Sequence, residues 1–417
     1  MTAAKGRLET FHGDQIVVAL ADLDVVVREV EALHARTKKP IRHSRLGLAL
    51  LPLHGESINA AVRELSHDEG IAGDLAAYSH DRQAATGGDL APIDVLLKGL
   101  RLRFARAYGN WLPSFGKNRT ISKILGSPHV GGGGVGPAKA TNDVLSPRSA
   151  PAGEYHSVRI GLLDTRMFHH DWLAGGYLAR PGDLLGGQAE YRSTQAHATS
   201  VASCILQQAP GAEVHLRRVL DDDASGDSWA VATAMAEVAE AGFDIVNLSF
   251  GEYFTDDGEP PLVIDTAVQV LSARSVVVAA AGNHGNIKSL PPDLVPPGLA
   301  ENSPSYPAAL PEVVAVGALD DAGRRAPFSP KNAPWVRLMA PGVDRTVAFL
   351  DGKVLVAPED GSFRDAELVT FDGWAKCSGT SYAAGTISGA IAARMAGSGI
   401  PARDAAGQLL RQHDPGY

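Results

Sequence analysis

Two cysteines in 417 residues are too few for a disulfide framework or a four-ligand zinc site. Cys204 and Cys377 leave at most one bridge, and a reducing compartment fits them. No run approaches the ~18 apolar residues of a membrane span. The N-terminus, MTAAKGRLETFHGDQ, lacks the apolar core and small-residue cleavage site of a secretory signal. The expectation is therefore a cytoplasmic protein with no membrane partner. No carboxylates stand at the spacing of a calcium loop. No cofactor is expected, and structural calcium is left open. No Gly-x-Gly-x-x-Gly follows Val158–Leu163, which excludes a dinucleotide-dependent enzyme. Gly131 and Gly136 have phosphate-loop spacing, but Pro137 stands where that loop needs lysine.

What is present is an ordinary globular composition: 45% hydrophobic residues, 20% charged and a net charge of -9. That is enough apolar side chain for a core and excludes bulk disorder. Length alone allows two domains, or one large domain with an added segment. Charge is uneven. Residues 1–150 carry 19 Lys and Arg against 15 Asp and Glu, and the remainder carries 19 against 32. A basic front and an acidic back can attract one another.

Three regions follow from pattern. Residues 1–125 read as an α+β domain. A strand is expected at 15–20, and a helix after a cap at Asp22, with Leu23, Val26, Val30 and Leu33 at helical spacing. A second strand is expected at 46–53, with helices at 57–65 and 91–107. The stretch from Lys98 to Lys123 has seven basic residues and no acidic one, interleaved with Phe104, Tyr108, Trp111 and Phe115. Such a stretch can bind single-stranded nucleic acid, but a helix face with a docking surface is the expected use. Residues 126–154, rich in Gly, Pro, Ser and Ala, read as a linker or exposed loop.

Residues 155–417 alternate short apolar strands with helices. Strands are expected at 158–163, 214–220, 244–249, 275–281 and 313–318, with helices at 194–208, 227–241, 262–273 and 381–395. This implies an α/β fold with a mostly parallel sheet covered by helices on both faces. Such sheets carry reactive groups at the carboxyl ends of strands. Asp164 closes one strand, His197 opens a helix, Asn283 follows a strand, and Ser381 begins a helix. Singly, these positions suit a turn or a cap. Taken together with the residues around them, they support a more specific reading.

The order Asp, His, Ser and the surrounding motifs resemble the subtilisin-like serine peptidases over about residues 156–397. Gly161-Leu162-Leu163-Asp164-Thr165 resembles the aspartate motif, continued by His170, Asp171 and Leu173. His197-Ala198-Thr199-Ser200-Val201-Ala202 resembles the histidine motif. Ser378-Gly379-Thr380-Ser381-Tyr382-Ala383-Ala384 resembles the nucleophile motif. Ser305-Tyr306-Pro307-Ala308 and the following Val313–Ala318 also fit. The resemblance implies a three-layer fold, with Asp164, His197, Ser381 and Asn283 as catalytic residues. It also implies that Leu248, Ser249, Phe250, Gly251, Ala280, Ala281 and Gly282 bind an extended peptide substrate. Three positions depart from the pattern: Ala198 for glycine, Ser200 for a second histidine, and Gly385 for proline.

The expected function is a serine endopeptidase working through an acyl-enzyme on Ser381. Its expected role is selective intracellular processing of a protein or peptide, in zymogen form. The N-terminal domain would dock on the enzyme and restrain it, with cleavage within 126–154. The alternative is a weak or inactive peptide-binding scaffold of the same fold. The acids Glu252, Asp256, Asp257 and Glu259 could favour basic residues before the cut, or form a solvated loop. Between Pro341 and Ser381 a hairpin is expected at 353–356 and 368–371. Cys377 is expected to be buried and inert.

Overall fold

A computed structural model of the chain describes residues 11–86, 90–121, 137–149, 158–253, 260–289, 295, 299–356 and 366–412. The first unit has four antiparallel strands: β1 (Phe11–Ala19), β2 (Ile41–His43), β3 (Leu48–Pro52) and β4 (Phe115–Ile121). Their spatial order is β4-β1-β3-β2, the split βαβ arrangement. The helices are α1 (Leu23–Ala32), α2 (Gly55–His67), α3 (Ala72–Thr86) and α4 (Pro92–Ala107). Asp22 does not cap α1. Its Oδ2 accepts instead from the backbone amide of Ser114, 2.8 Å away.

Successive strand residues face opposite ways, and here both faces are covered. Ile16, Val18, Ala49 and Leu51 meet the helices of this unit. Val17, Leu48, Leu50 and Ile121 meet Trp229, Val231 and Met235 of the second unit. The basic–aromatic stretch is partly used inside the fold, while Tyr108 and Trp111 stay exposed. Phe104 stacks on Tyr108, meets Trp111 edge to face and Phe115 at a tilt, Lys117 pairs with Asp94 at 2.6 Å, and Arg103 pairs with Glu29 and Asp68.

The expected linker lies partly outside the described residues, but 137–149 is tied down. β5 (Lys139–Ala140) pairs antiparallel with Ala375–Lys376. Lys376 binds Asp143 at 2.8 Å, and Arg148 donates to the carbonyl of Trp172 at 2.9 Å. A strap, not a free loop, therefore enters the second unit.

That unit is built on seven parallel strands: β6 (Arg159–Asp164), β7 (Tyr177–Leu178), β8 (Glu213–Arg218), β9 (Ile245–Leu248), β10 (Val276–Ala280), β11 (Val313–Leu319) and β12 (Leu338–Pro341). Their spatial order is β12-β11-β10-β9-β6-β8-β7. Ile160, Leu162 and Val278 face α5 (His197–Gln208) and α8 (Thr380–Ser398). Leu163, Val246 and Val277 face α6 (Ser228–Ala241) and α7 (Leu262–Ser272). This is the expected three-layer fold. The hairpin after Pro341 is longer than expected: β13 (Arg345–Val356) and β14 (Glu367–Cys377) join β5 and Tyr191–Arg192 in a separate sheet.

The two units share a sheet edge. Gly226–Asp227 adds to β4. Asn118 donates to Asp227 Oδ2 (2.8 Å) and accepts from Ser228 Oγ (2.9 Å). His12 meets Asp227 at 2.7 Å, and Arg45 pairs with Glu240.

Candidate active site

Asp164 ends β6 and is fully buried. Its Oδ1 accepts from the Thr165 amide at 2.7 Å. His197, at the first position of α5, donates from Nδ1 to the Asp164 carboxylate oxygens at 2.7 and 2.9 Å. A carboxylate only accepts, so Nδ1 carries a proton. Thr165 Oγ1 also accepts from the Ala198 amide at 3.2 Å, which ties the strand end to the helix start.

Ser381 is the second residue of α8 and is 2% exposed. Its hydroxyl donates to the Ser249 carbonyl oxygen at 3.2 Å. Ser249 Oγ donates back to the Ser381 carbonyl, also at 3.2 Å. Tyr382, the next residue, holds its ring 6.2 Å from that of His197. Asn247 supports this pairing: its Nδ2 donates to Ser249 Oγ at 2.8 Å, and its Oδ1 accepts from Ser388 Oγ at 3.0 Å.

Asn283 follows β10 and is fully buried. Its Oδ1 accepts from Thr380 N (2.9 Å) and Thr380 Oγ1 (3.1 Å). Those two donors fix which way the amide faces. Its Nδ2 has no hydrogen-bond partner among the described residues. An orphaned buried donor costs about 1–3 kcal/mol, so its retention beside Ser381 points to a ligand that supplies the missing acceptor.

The expected substrate-binding segments flank these groups. Leu248, Phe250, Ala280 and Ala281 are fully buried, so they offer backbone rather than side chain. Gly282 has φ +106°, and a β-carbon there would lie 2.7 Å from Tyr253 Oη, so only glycine fits. Asp256, Asp257 and Glu259 lie outside the described residues, while Glu252 is buried.

Two of the three departures, Ser200 and Gly385, have local reasons. Ser200 Oγ donates to the Ala348 carbonyl at 3.0 Å, tying α5 to the hairpin. A β-carbon at Gly385 would lie 3.0 Å from the Val201 carbonyl oxygen, and at Gly389 only 2.3 Å from that of Ile205. Small residues thus let the helix bearing His197 pack closely on the helix bearing Ser381. His170 is structural: Nε2 donates to the Gly373 carbonyl (2.8 Å) and Nδ1 accepts from Trp172 N (3.1 Å). Cys204 and Cys377 are free and buried, and burial pushes each thiol up to about 12. Pairing of the two is not observed. Among the described residues, no cluster of three His, Cys, Asp or Glu side chains could hold a metal ion, and no helix is long and apolar enough to cross a membrane.

The sequence motifs named Asp164, His197, Ser381 and Asn283. They did not single out Thr380, Asn247 or Thr165, which hold those side chains in place. Thr165 and Thr380 adjoin named residues, and that adjacency was the available signal.

A family model described as the subtilase family, Peptidase_S8, matches residues 156–402. Subtilisin DY of Bacillus licheniformis is 29% identical over 223 residues, covering 48% of this chain and 73% of its own length. Subtilisin Savinase of Lederbergia lenta is 30% identical over 220 residues, covering 48% and 72%. The solved structure of the patellamide maturation protease PatA is 27% identical with a TM-score of 0.42, covering 58% of this chain and 80% of that one.

Proposed function

The chain belongs to the subtilase family and is a subtilisin-like serine endopeptidase; from that premise we propose that Ser381, His197, Asp164 and Asn283 carry its chemistry. The Ser381 hydroxyl turns from the Ser249 carbonyl to His197 Nε2, which takes its proton as Oγ attacks the scissile carbonyl. Asp164, accepting from Nδ1, holds the ring in the tautomer that leaves Nε2 basic and stabilises the imidazolium. Asn283 Nδ2 donates to the oxyanion, which gives that buried amide its missing partner. His197 then returns the proton to the leaving amine, and water reverses the sequence to release the acyl group. The Asn283 amide, fixed by Thr380 and left without an acceptor, is the observation that carries this reading.

Protein or peptide substrate would lie extended between Leu248–Gly251 and Ala280–Gly282, adding as a strand. We further propose that residues 1–125 restrain the enzyme as a zymogen and that its role is selective processing in the cytoplasm. The shared sheet edge and the His12, Arg45 and Asn118 contacts support docking in cis. β5 runs antiparallel to Ala375–Lys376, so the chain entering it arrives from the Ser378–Ser381 side, which suits cleavage within 126–154. Buried reduced thiols suit the cytoplasm. The reading of the site is tested with Asn283→Leu. We expect kcat to fall about 10²–10³-fold with KM little changed, the range found for oxyanion donors in subtilisin itself. An unchanged kcat removes Asn283 from the chemistry.

A further inference from the structure

Beside Asn283 lies a set of buried polar atoms that hydrolysis itself does not use. Tyr253, His284 and Ser305 are 4%, 0% and 0% exposed. His284 Nδ1 and Ser305 Oγ have no hydrogen-bond partner among the described residues, and Tyr253 Oη meets only the backbone amide of Asn283, which leaves its proton to donate. Three elements bring them together. Glu252–Tyr253 pairs antiparallel with Ser305–Tyr306, with Tyr253 opposite Ser305. The Tyr253 and His284 rings meet edge to face at 4.5 Å. A β-carbon at Gly282 would lie 2.7 Å from Tyr253 Oη and 2.8 Å from His284 Nδ1, and one at Gly251 would lie 2.7 Å from Ser305 Oγ. All three atoms therefore adjoin the two glycines on either side of the substrate path.

Their chemistry is complementary. His284 Nε2 donates to the Ser303 carbonyl at 2.9 Å, so Nδ1 is a bare acceptor. Burial holds the ring at a pKa of about 4, which keeps it neutral near pH 7. The two hydroxyls can donate. With the attacked carbonyl between Ser381 and the Asn283 amide, the side chain on that same residue must enter beside Gly251 and Gly282. We propose that Tyr253, His284 and Ser305 form a neutral polar pocket that selects a carboxamide side chain, Asn or Gln, on the residue whose carbonyl is attacked. Its NH₂ group gives His284 Nδ1 a donor, and its oxygen accepts from a hydroxyl. An apolar side chain leaves His284 Nδ1 and Ser305 Oγ unsatisfied, at a cost that discriminates strongly. A cation can donate to His284 Nδ1 and to the hydroxyl oxygens, but it gives the two hydroxyl protons no acceptor. Buried Glu252 lies on the same strand, so a basic side chain is the competitor to exclude.

The proposal rests on Ser381 as the nucleophile, and the experiment separates the two. Full-length protein is given internally quenched peptides that differ only at the residue before the cut: Asn, Gln, Met, Leu, Lys, Arg, Asp and Glu. Restraint by the N-terminal unit would slow all peptides alike and leave their ratios intact. We expect kcat/KM for Asn or Gln to exceed every other by at least about tenfold. Ser305→Ala, which removes one oxygen, should cut the Gln-to-Met ratio about tenfold; His284→Leu should cut it further. A fluorophosphonate that labels Ser381 while Leu, Lys or Arg leads the profile overturns the pocket alone. An unchanged ratio in both folded variants does the same. Absence of both labelling and cleavage overturns the nucleophile and the pocket together.

Discussion

His284 shows how one buried side chain carries a stability cost that pH reveals. Burial lowers its pKa to about 4 from an ordinary 6.5, against the modest opposing effect of the Ser303 carbonyl. In the unfolded chain it binds a proton near pH 6.5, while in the folded chain it stays neutral until about pH 4. Stability is therefore fully present above pH 6.5 and is lost as pH falls between those values, by roughly 3 kcal/mol in total. His284→Gln should remove that slope. Denaturant unfolding at pH 7 and pH 4.5 should show wild type losing about 2 kcal/mol more than the variant. Equal losses would mean that the ring is hydrated in the folded state.

At the scale of elements, the active site depends on how closely α5 and α8 approach. Gly389 sits where a β-carbon would strike the Ile205 carbonyl oxygen, and backbone cannot yield as a flexible side chain can. Gly389→Ala should cost about 1–3 kcal/mol and lower kcat by shifting Ser381 relative to His197. Thermal melting and steady-state kinetics together check this, and an unchanged Tm would show that the crossing has slack. Elements were legible in the sequence where pattern and burial agree. The strands ending at Asp164 and Ala280 are short apolar runs between turn signals, and they lie where the pattern puts them. β4 was not legible, because FGKNRTI looks like polar loop. Its Lys117, Asn118 and Arg119 are nevertheless buried, with Lys117 on Asp94 and Asn118 on Asp227. Those partners lie at distances of chain that no local pattern contains. α3 was missed for a related reason: its Ala-rich, polar sequence carries little apolar periodicity. The four proposed site residues stand out in the sequence because each sits in a short motif, whereas Tyr253 and Ser305 meet only through strand pairing.

For the whole molecule, the question is what the stacked layers accomplish. The sheet of the first unit covers α6 with Val17, Leu48 and Leu50, while its own helices cover the other face. Each buried aliphatic side chain contributes about 1.5–3 kcal/mol, so the seam outweighs its exposed ion pairs. Leu48→Asp places a charge against this apolar surface. It should red-shift tryptophan emission as Trp229 becomes hydrated, and raise the basal peptidase rate severalfold. A red shift without faster hydrolysis would contradict restraint while leaving docking intact.

We propose a serine made nucleophilic by a neighbouring imidazole. The most direct test is to map a fluorophosphonate adduct by peptide mass spectrometry in wild type, Ser381→Ala and His197→Ala. We expect one adduct, on the peptide bearing Ser381, absent from the first variant and slowed at least about a hundredfold in the second. An adduct on another residue, or equal labelling without His197, would contradict it.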